Sequence, residues 1–377
     1  MDRLEKIKGL NEQAMQMASM QWNRIAKPIH SLGVLENMVV QIAGITGSAD
    51  VNLCRRAVVV MCADHGVVQE GISQSGSEVT GIVARAMAKG DGNINTLAAC
   101  YDADVIPVDI GMAEPVAKEM RADTIAESLS GRILDRKIAC GTGDIAKKAA
   151  MTKEQAVKAL QTGMDIVAEL KQEGYRVIVT GEMGIGNTTA TAALASVLTG
   201  RTAKETTGRG AGLDHTRLMH KIKIVEQAVR VNLPVYYETE YGRHHDSIWH
   251  TTQEMVTLLA ALGGYEIAGM AGLFLGGAVY GIPVVMDGVI STVAAALAAG
   301  MQEGVRDAIL CSHISKEPAA RELVRYMQLP HVIDAGLCLG EGTGGVMLLP
   351  LLDGALRLYH SSHLFEQLEI EQYEEYH

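Results

Sequence analysis

The chain has 377 residues, of which 48% are apolar and 40 are glycine, and its formal net charge is -11. This length can bury a large aliphatic core in one large domain or two ordinary ones. The acidic balance, without a block of basic residues, excludes a nucleic-acid-binding surface, because phosphate backbones are bound by clustered Lys and Arg.

The N-terminal segment is charged and helical in rhythm, and it has no apolar core of the kind found in signal peptides. Helices are predicted over about 3–45 at the N-terminus and over about 347–375 at the C-terminus. Because these helices flank the rest of the chain, we expect them to pack together as a smaller helical lobe. The predicted domains are therefore 1–45 together with 347–377, and a large α/β domain over 46–346.

Short β-branched runs, each followed by a polar or glycine-rich corner, recur along the large domain. They lie within 56–66, 103–111, 175–198, 282–300 and 305–315. The apolar residues in these runs are continuous rather than alternating, which indicates a parallel sheet covered by helices on both faces. The polar corners should then meet at the carboxyl ends of the strands, where open α/β sheets bind ligands.

One stretch, 267–286, is uncharged and long enough to span a bilayer. Its glycines and Pro283 instead favour a buried helix over about 266–279 and a short strand over 282–286. The six cysteines are scattered and form no CxxC pair, which favours reduced thiols in a cytoplasmic protein over disulfides or a zinc site. We therefore expect neither a membrane segment nor a metal.

The histidines do not form a metal-binding pattern. His65 has no second histidine four residues on and no Cys/His cluster near it. Residues 233–250 are polar and aromatic, and we predict a surface loop or a flap whose three histidines, at 244, 245 and 250, are solvated. His313 stands at a strand end beside Ser312, where a phosphate contact and an ordinary loop hydrogen bond explain the pair equally well.

The loop GEMGIGNTT (181–189) matches neither the P-loop nor the GxGxxG pattern. Gly184 and Gly186 nevertheless expose backbone N–H groups, and Asn187 caps a helix whose positive end is directed inward, which suits an anion. A capped helix start alone does not explain Glu182, because an acid at this point caps nothing and is well placed to bind sugar hydroxyls. We therefore predict a substrate site here.

A second glycine loop, TGRGAGLD (207–214), surrounds Arg209 with glycines, among them Gly210, and precedes the helical segment that contains Lys221. By itself such a loop is a common turn. Two glycine loops that bracket one helix in an acidic protein are better explained by a phosphate site.

The stretch LGEGTGGVMLLP (339–350) has Glu341 among glycines just before an apolar run. A glutamate in a loop is usually a solvated surface charge, but these glycines allow the backbone to approach a ligand closely. A bound aromatic ring would partly desolvate the carboxylate and raise its pKa, which is the property of a general base near neutral pH. We therefore predict that Glu341 is the catalytic base.

Taken together, these motifs resemble those of the nicotinate-nucleotide:dimethylbenzimidazole phosphoribosyltransferases, which activate the lower-ligand base of cobamides. The resemblance covers most of the chain, in the stretches KPIHSLGVLE, ADHGVVQEG, EVT, GEMGIGNTT, GRGAGLD, GGYEIAGMAG, IPVVMDGVIST, LGEGTGG and LPLLDGA. It implies a Rossmann-like parallel sheet covered by helices, with a smaller helical lobe, usually in a homodimer, and no metal or other cofactor.

The resemblance also implies a reaction. Nicotinate mononucleotide would donate its phosphoribosyl group to an aromatic nitrogen base, with inversion at the anomeric carbon and release of nicotinate. The family's catalytic base falls on Glu341, a ribose-binding acid falls on Glu182, and the ribose-phosphate environment falls on Gly184 and Lys221. The other candidate substrate-binding residues are Asp64, Ser77, Met183, Gly186, Asn187, Arg209, Gly210, Ser312 and Leu339.

The acceptor pocket departs from the family pattern. Many relatives read close to YPQEVT after the ADHG stretch, whereas this chain reads QSGSEVT and has Ser77 in place of the Gln. The smaller side chain enlarges or redirects the pocket. The acceptor is therefore either dimethylbenzimidazole or an analogue, or else phenol or p-cresol, as in a branch of the family that works as two related subunits. A third alternative is a silent subunit that stabilises an active paralogue, although Glu182, Lys221 and Glu341 are all present.

Overall fold

The computed structural model describes residues 2–7, 9–243 and 251–373. At its centre lies a sheet of seven strands, all paired in parallel. In chain order the strands are β1 (Arg56–Ala63), β2 (Ala103–Gly111), β3 (Arg121–Ala122), β4 (Ile133–Asp135), β5 (Val177–Met183), β6 (Val284–Met286) and β7 (Ile309–Cys311). Across the sheet their order is β3-β4-β2-β1-β5-β6-β7. The predicted α/β class is confirmed.

Helices surround this sheet. They are α1 (Glu12–Arg24), α2 (Val34–Thr46), α3 (Glu78–Lys89), α4 (Asn93–Ala99), α5 (Ile125–Ser128), α6 (Lys153–Gln172), α7 (Asn187–Thr199), α8 (Ala203–Thr206), α9 (His215–Asn232), α10 (Pro234–Thr239), α11 (Thr252–Leu262), α12 (Tyr265–Tyr280), α13 (Val289–Met301), α14 (Pro318–Met327), α15 (Thr343–Val346) and α16 (Leu349–Ser361). Short 3-10 helices lie at Asp2–Lys6, Gly66–Glu70, Lys118–Met120, Arg306–Ala308 and Glu366–Leu368.

Each apolar run predicted as a strand contains one. β1 is buried along nearly its whole length and pairs with β2 on one side and β5 on the other, which explains its continuous apolar sequence. The edge strand β3 and its neighbour β4 were not predicted, because with two and three residues they are too short to show an apolar run.

The predicted small-residue helix is α12, which is buried along most of its length. It packs against α6, where a side chain at Gly163 would overlap the backbone of Gly269 and Gly272. Its glycines therefore serve close helix packing within the protein. In the ranges that the structure describes, no helix is long and apolar enough to cross a membrane.

The N- and C-terminal helices pack together as predicted. The rings of Trp22 in α1 and Tyr359 in α16 lie 5.0 Å apart, edge to face, and α2 contacts both helices. The C-terminal helix is shorter than predicted, since it ends at Ser361 and the chain then turns back to bridge Ile25 through Leu364. This long-range pairing stops the helix. The division into a small lobe and a large domain remains a prediction.

The segment predicted as a loop or a flap begins as a helix. Pro234 occupies the first turn of α10, where its fixed φ and missing N–H are tolerated, and Tyr236 is buried. The three histidines at 244, 245 and 250 lie outside the described residues.

The order of the strands defines the position of the site. The chain proceeds from β1 to β2 on one side and continues through β5, β6 and β7 on the other. In open α/β sheets such a reversal leaves a crevice at the carboxyl ends of the strands, and ligands bind there. Asp64 follows β1 at this point, and Glu182 is the last residue but one of β5.

Candidate active site

A pocket of about 230 Å³ lies at the carboxyl ends of β5, β6 and β7. The predicted site residues that line it are Glu182, Met183, Gly184, Asn187, Gly210 and Leu339. A larger depression of about 630 Å³ lies beside the loop that precedes β7, and its lining includes no predicted site residue. The smaller pocket is therefore the candidate site.

The glycine loop after β5 leads directly into α7. Gly186 has a φ of 98°, a left-handed conformation that favours glycine, and it provides no side-chain cap. A Cβ at Gly184 would collide with the carbonyl oxygen of Ala63 at the end of β1. The first helical residues, Asn187 and Thr188, line the pocket. The positive end of α7 therefore opens onto the pocket, which suits an anion. Asn187 does not cap α7 as predicted, because it is the first residue of the helix and its Nδ2 donates to Glu182 instead.

Glu182 is the buried acid of the pocket, with only 8% of its surface exposed. Its Oε2 accepts a hydrogen bond from Nδ2 of Asn187. Burial raises the pKa of Glu182 to about 8; the Asn187 hydrogen bond opposes this rise, and the carboxylates of Asp287, Glu266 and Glu341 add to it. These surroundings favour the protonated form of Glu182, whose carboxyl group can both donate to and accept from a sugar hydroxyl.

Lys221 reaches from α9 to the start of α7. Its Nζ donates a hydrogen bond of 2.7 Å to Oγ1 of Thr188, and the residue is only 1% exposed. A Cβ added to Gly210 would lie 3.4 Å from this Nζ, so the second glycine loop passes close to the amine. Burial lowers the pKa of Lys221 to about 8, and the carboxylate of Glu317 opposes this effect. The amine and the helix end together suit a phosphate.

Arg209, in contrast, does not line the pocket. It is exposed, and its Nη1 donates a 2.6 Å hydrogen bond to the carbonyl of Leu213 in its own loop. The same loop is fixed from outside by Gln74, whose Nε2 donates to the carbonyls of Gly212, at 2.7 Å, and Ala211, at 3.3 Å. Arg209 therefore stabilises the loop in this structure.

Glu341 has a left-handed backbone conformation with a φ of 61°, between Gly340 and Gly342, whose φ values are 88° and 92°. For a residue other than glycine this conformation costs on the order of 1–3 kcal/mol. Its Oε2 accepts a 3.4 Å hydrogen bond from the N–H of Ile94 in α4, and a Cβ at Gly340 would lie 2.5 Å from Oε1 of Glu182. The loop that carries Glu341 therefore passes beside Glu182. The side chain of Glu182 lies in the pocket, whereas that of Glu341 is directed toward α4.

The environment of Glu341 favours its protonated form. Burial raises the pKa of its carboxyl group, the hydrogen bond from Ile94 opposes this rise, and the charge of Asp287 contributes to it. Glu341 is not among the residues that line the 230 Å³ pocket. The carboxylate is therefore directed away from that pocket, toward the N–H of Ile94 in α4.

Asp287 lines the pocket but was not predicted as a site residue. It follows β6 directly, so its sequence signal was an acid at the end of an apolar run, as for Glu182. His313 also lines the pocket; burial lowers its pKa and Asp287 opposes this. Ser312 does not line the pocket: its Oγ lies 2.6 Å from the carbonyl of Met286 and 2.9 Å from Nδ1 of His313, as expected for a loop hydrogen bond.

Asp64 and Ser77 lie outside the pocket lining. Oδ2 of Asp64 accepts a 2.7 Å hydrogen bond from the N–H of Ala113, and burial raises the pKa of this carboxyl group. Ser77 precedes α3 and makes no capping hydrogen bond.

Nε2 of His65 lies 2.6 Å from Oε1 of Glu266, in a fully buried pair. Within the described ranges, no group of three or more His, Cys, Asp or Glu residues could hold a metal ion.

Comparisons with known proteins agree with this site. A family model described as "Phosphoribosyltransferase" matches residues 7–370. The nicotinate-nucleotide–dimethylbenzimidazole phosphoribosyltransferase of Ruminiclostridium cellulolyticum is 36% identical over 372 residues, which are 99% of this chain and 98% of that protein. The protein of the same name from Clostridium acetobutylicum is 36% identical over 370 residues, or 98% and 97% of the two chains.

Solved structures agree as well. The crystal structure of CobT from Thermus thermophilus matches this fold with a TM-score of 0.82 at 34% identity, and the match covers 96% of this chain and 100% of that chain. The resemblance drawn from the motifs is thereby confirmed over nearly the full length. The chain belongs to this phosphoribosyltransferase family and is an enzyme that transfers a pentosyl group.

Proposed function

We propose that this enzyme transfers the 5-phosphoribosyl group of nicotinate mononucleotide to 5,6-dimethylbenzimidazole or an analogue, with inversion, and so supplies an α-ribotide for assembly of the cobamide nucleotide loop. The observation that carries the proposal is the loop that holds Glu341 beside the buried Glu182, with Lys221 at the adjoining helix end. The names of the relatives from two clostridial species point to the same substrates.

In this proposal the nucleotide occupies the pocket lined by the glycine loops. Its phosphate lies at the start of α7, near the amine of Lys221, and its ribose hydroxyls exchange hydrogen bonds with Glu182. The donor already carries its monophosphate and its leaving group, so these residues need only orient the ribose and leave one face of C1′ open.

The acceptor approaches C1′ from the face opposite to nicotinate. The unprotonated ring nitrogen of the benzimidazole forms a bond to C1′, and the bond from C1′ to the pyridinium nitrogen breaks with its electron pair remaining on nicotinate. Glu341 takes the proton from the other ring nitrogen of the acceptor, which leaves a neutral ribotide base. Since a pyridinium is a good leaving group, nicotinate departs without a proton from the enzyme.

The identity of the acceptor is tested by incubating the purified enzyme with nicotinate mononucleotide and either dimethylbenzimidazole, phenol or p-cresol. We expect ribotide formation with dimethylbenzimidazole, detected by mass, and an α configuration at C1′ by proton NMR. Ser77, which stands in this sequence where many relatives have Gln, is the feature that motivates a phenolic acceptor as the alternative. If phenol were the only acceptor converted, to an O-linked ribotide, the benzimidazole proposal would be replaced. If no acceptor caused release of nicotinate, both proposals would be contradicted.

The assembly is also part of the proposal. We propose a cytoplasmic homodimer that is active without another chain. Light scattering during size-exclusion chromatography, combined with the assay above, tests this point. A chain that turns over only after a paralogous subunit is added would instead be half of a heterodimer, or a silent partner.

Lys221 provides a test of the phosphate site. Lys221→Ala should raise the KM for nicotinate mononucleotide roughly tenfold or more, with a smaller effect on the KM for the acceptor, because a charge-assisted hydrogen bond contributes about 1.5–3 kcal/mol. Lys223→Ala, an exposed lysine on the same helix, is the matched control and should leave both constants unchanged. Equal increases in both KM values would rule out the phosphate role.

The same lysine predicts a pH dependence. The pKa of Lys221 is lowered to about 8, so the amine is charged below that pH and neutral above it. The kcat/KM for nicotinate mononucleotide should therefore fall as the pH rises through about 8. In Lys221→Arg the guanidinium stays charged, so this alkaline decline should be reduced. The part that remains belongs to Glu182, whose pKa is also about 8; an identical decline in both enzymes would contradict the role of Lys221.

A further inference from the structure

We propose that Asp287 is a positioning residue for this reaction, whose carboxylate fixes the loop that carries Glu341 in the conformation needed for catalysis. The inference rests on the proposed role of Glu341 as the base. It concerns a residue that lies in the IPVVMDGVIST stretch but was not predicted as a site residue, and it begins from the contacts of its two carboxylate oxygens.

Both oxygens of Asp287 accept hydrogen bonds from the backbone that follows Glu341. Oδ2 accepts from the N–H of Gly342 at 3.1 Å, and Oδ1 accepts from the N–H of Gly345 at 3.0 Å. These bonds connect the end of β6 to the chain immediately after Glu341. Because all of these groups are buried, each bond is shielded from competing water.

The backbone of Asp287 is itself held by hydrogen bonds. Its N–H donates a 3.1 Å hydrogen bond to Oγ of Ser291 in α13, and that Oγ lies 2.6 Å from Oγ1 of Thr180 in β5. Oγ1 of Thr180 in turn lies 3.0 Å from the carbonyl of Val285. Two neighbouring strands and one helix therefore fix the backbone at Asp287, so it presents its carboxylate to the loop from a rigid base.

The loop is closed in on its other sides by close contacts. A Cβ at Gly181 would lie 2.6 Å from the carbonyl oxygen of Glu341, and a Cβ at Gly342 would lie 2.8 Å from Cγ1 of Val58. The loop is thus held between β5 and the Asp287 carboxylate. This arrangement explains how Glu341 is kept in a left-handed conformation that it would not adopt by preference.

Asp287 also acts on its neighbours through its charge. The titratable groups near it are the carboxyl groups of Glu182 and Glu341 and the imidazole of His313, while Glu317 lines the same pocket. The negative charge of Asp287 contributes to the raised pKa of Glu341. Removal of this charge should therefore lower the pKa of the base, whereas simple loosening of the loop should not.

The test is Asp287→Asn in the full-length enzyme. The amide keeps the size of the side chain but can accept only one of the two backbone hydrogen bonds, and it removes the charge. We expect kcat to fall roughly 10- to 10²-fold with the KM for nicotinate mononucleotide changed less than about threefold, because the base is misplaced while the donor still binds. The acid limb of the pH profile of kcat/KM for the acceptor should move to lower pH.

Three outcomes would overturn the proposal. The first is an unchanged kcat, and the second is a rise in the KM for the nucleotide without loss of kcat, which would indicate a substrate contact. The third is a lowered kcat with no shift of the acid limb in the pH profile of kcat/KM for the acceptor. The matched control is Asp165→Asn, a half-exposed aspartate paired with Arg3, which should behave as the unmodified enzyme.

A second variant covers the case in which Asp287→Asn does not fold. Ser291→Ala removes the support of the Asp287 backbone but keeps the charge, so kcat should fall by several-fold with the acid limb in place; an unchanged kcat would contradict the inference. Hydrogen exchange of peptides that span 340–346 gives a readout that needs no turnover. Exchange should be faster in both variants than in the unmodified enzyme. Equal exchange in all three proteins would refute the positioning role, whatever substrates the enzyme uses.

Discussion

Glu341→Gln is expected to lower kcat for ribotide formation roughly 10²- to 10⁴-fold, the range for loss of a positioned acid or base, with little change in nicotinate mononucleotide binding. Glutamine is similar in size, and its amide oxygen can still accept the hydrogen bond from Ile94. It cannot take a proton from the acceptor. The measurement is steady-state turnover with dimethylbenzimidazole, together with the affinity for the nucleotide by calorimetry.

The pH profile adds a second criterion for this residue. Burial raises the pKa of Glu341 above the ordinary value of 4.5. Turnover should therefore decline as the pH falls through this raised pKa, since the base becomes protonated, and the residual activity of Glu341→Gln should lack that decline. Glu119→Gln, at an exposed glutamate in a short 3-10 helix, is the control. Near-normal turnover in Glu341→Gln would remove the residue from the mechanism.

Gly181→Ala is expected to lower kcat roughly 10²-fold, because a displacement of about 1 Å at a catalytic group has effects of this size. The new Cβ would lie 2.6 Å from the carbonyl oxygen and 2.8 Å from the carbonyl carbon of Glu341, so the loop must move. Overpacking of this kind should also reduce the free energy of unfolding by about 1–3 kcal/mol, measured by denaturant titration.

Gly354→Ala is the matched control for this substitution. A Cβ at that position meets nothing within 4 Å, and the residue lies inside α16, so alanine should leave kcat unchanged and stabilise the helix by up to about 1 kcal/mol. A Gly181→Ala enzyme that keeps full kcat would mean that the exact position of the Glu341 loop is not important for the reaction.

Much of the fold could be predicted because its strands are locally marked. The run at 103–111 coincides with β2, and the helix expected at about 266–279 is α12 with one further residue at each end. The C-terminal helix was predicted too long because its end depends on a contact between Leu364 and Ile25, which are distant in sequence. The edge strand β3 and its neighbour β4 were missed because they are defined by their partners and not by an apolar run.

The site was predictable to the extent that its residues lie in glycine loops. Glu182, Lys221 and Glu341 could be named because acids and a lysine stand in or near glycine loops that have no other evident use. Arg209 has the same local signal, yet its side chain is directed to the carbonyl of Leu213. Sequence neighbours indicate that a loop is special but not the direction in which each side chain points.

The sequence by itself determined the α/β class, the order of the polar corners, and the family, because those depend on local patterns and on motifs in a fixed order. Only the tertiary structure decided that the Glu341 loop contacts Glu182, that the surroundings of these two acids raise both pKa values, and that Asp287 holds the loop. The physical reason is that burial, charge proximity and backbone hydrogen bonds arise here between segments that are distant in sequence, and no local pattern in the chain encodes them.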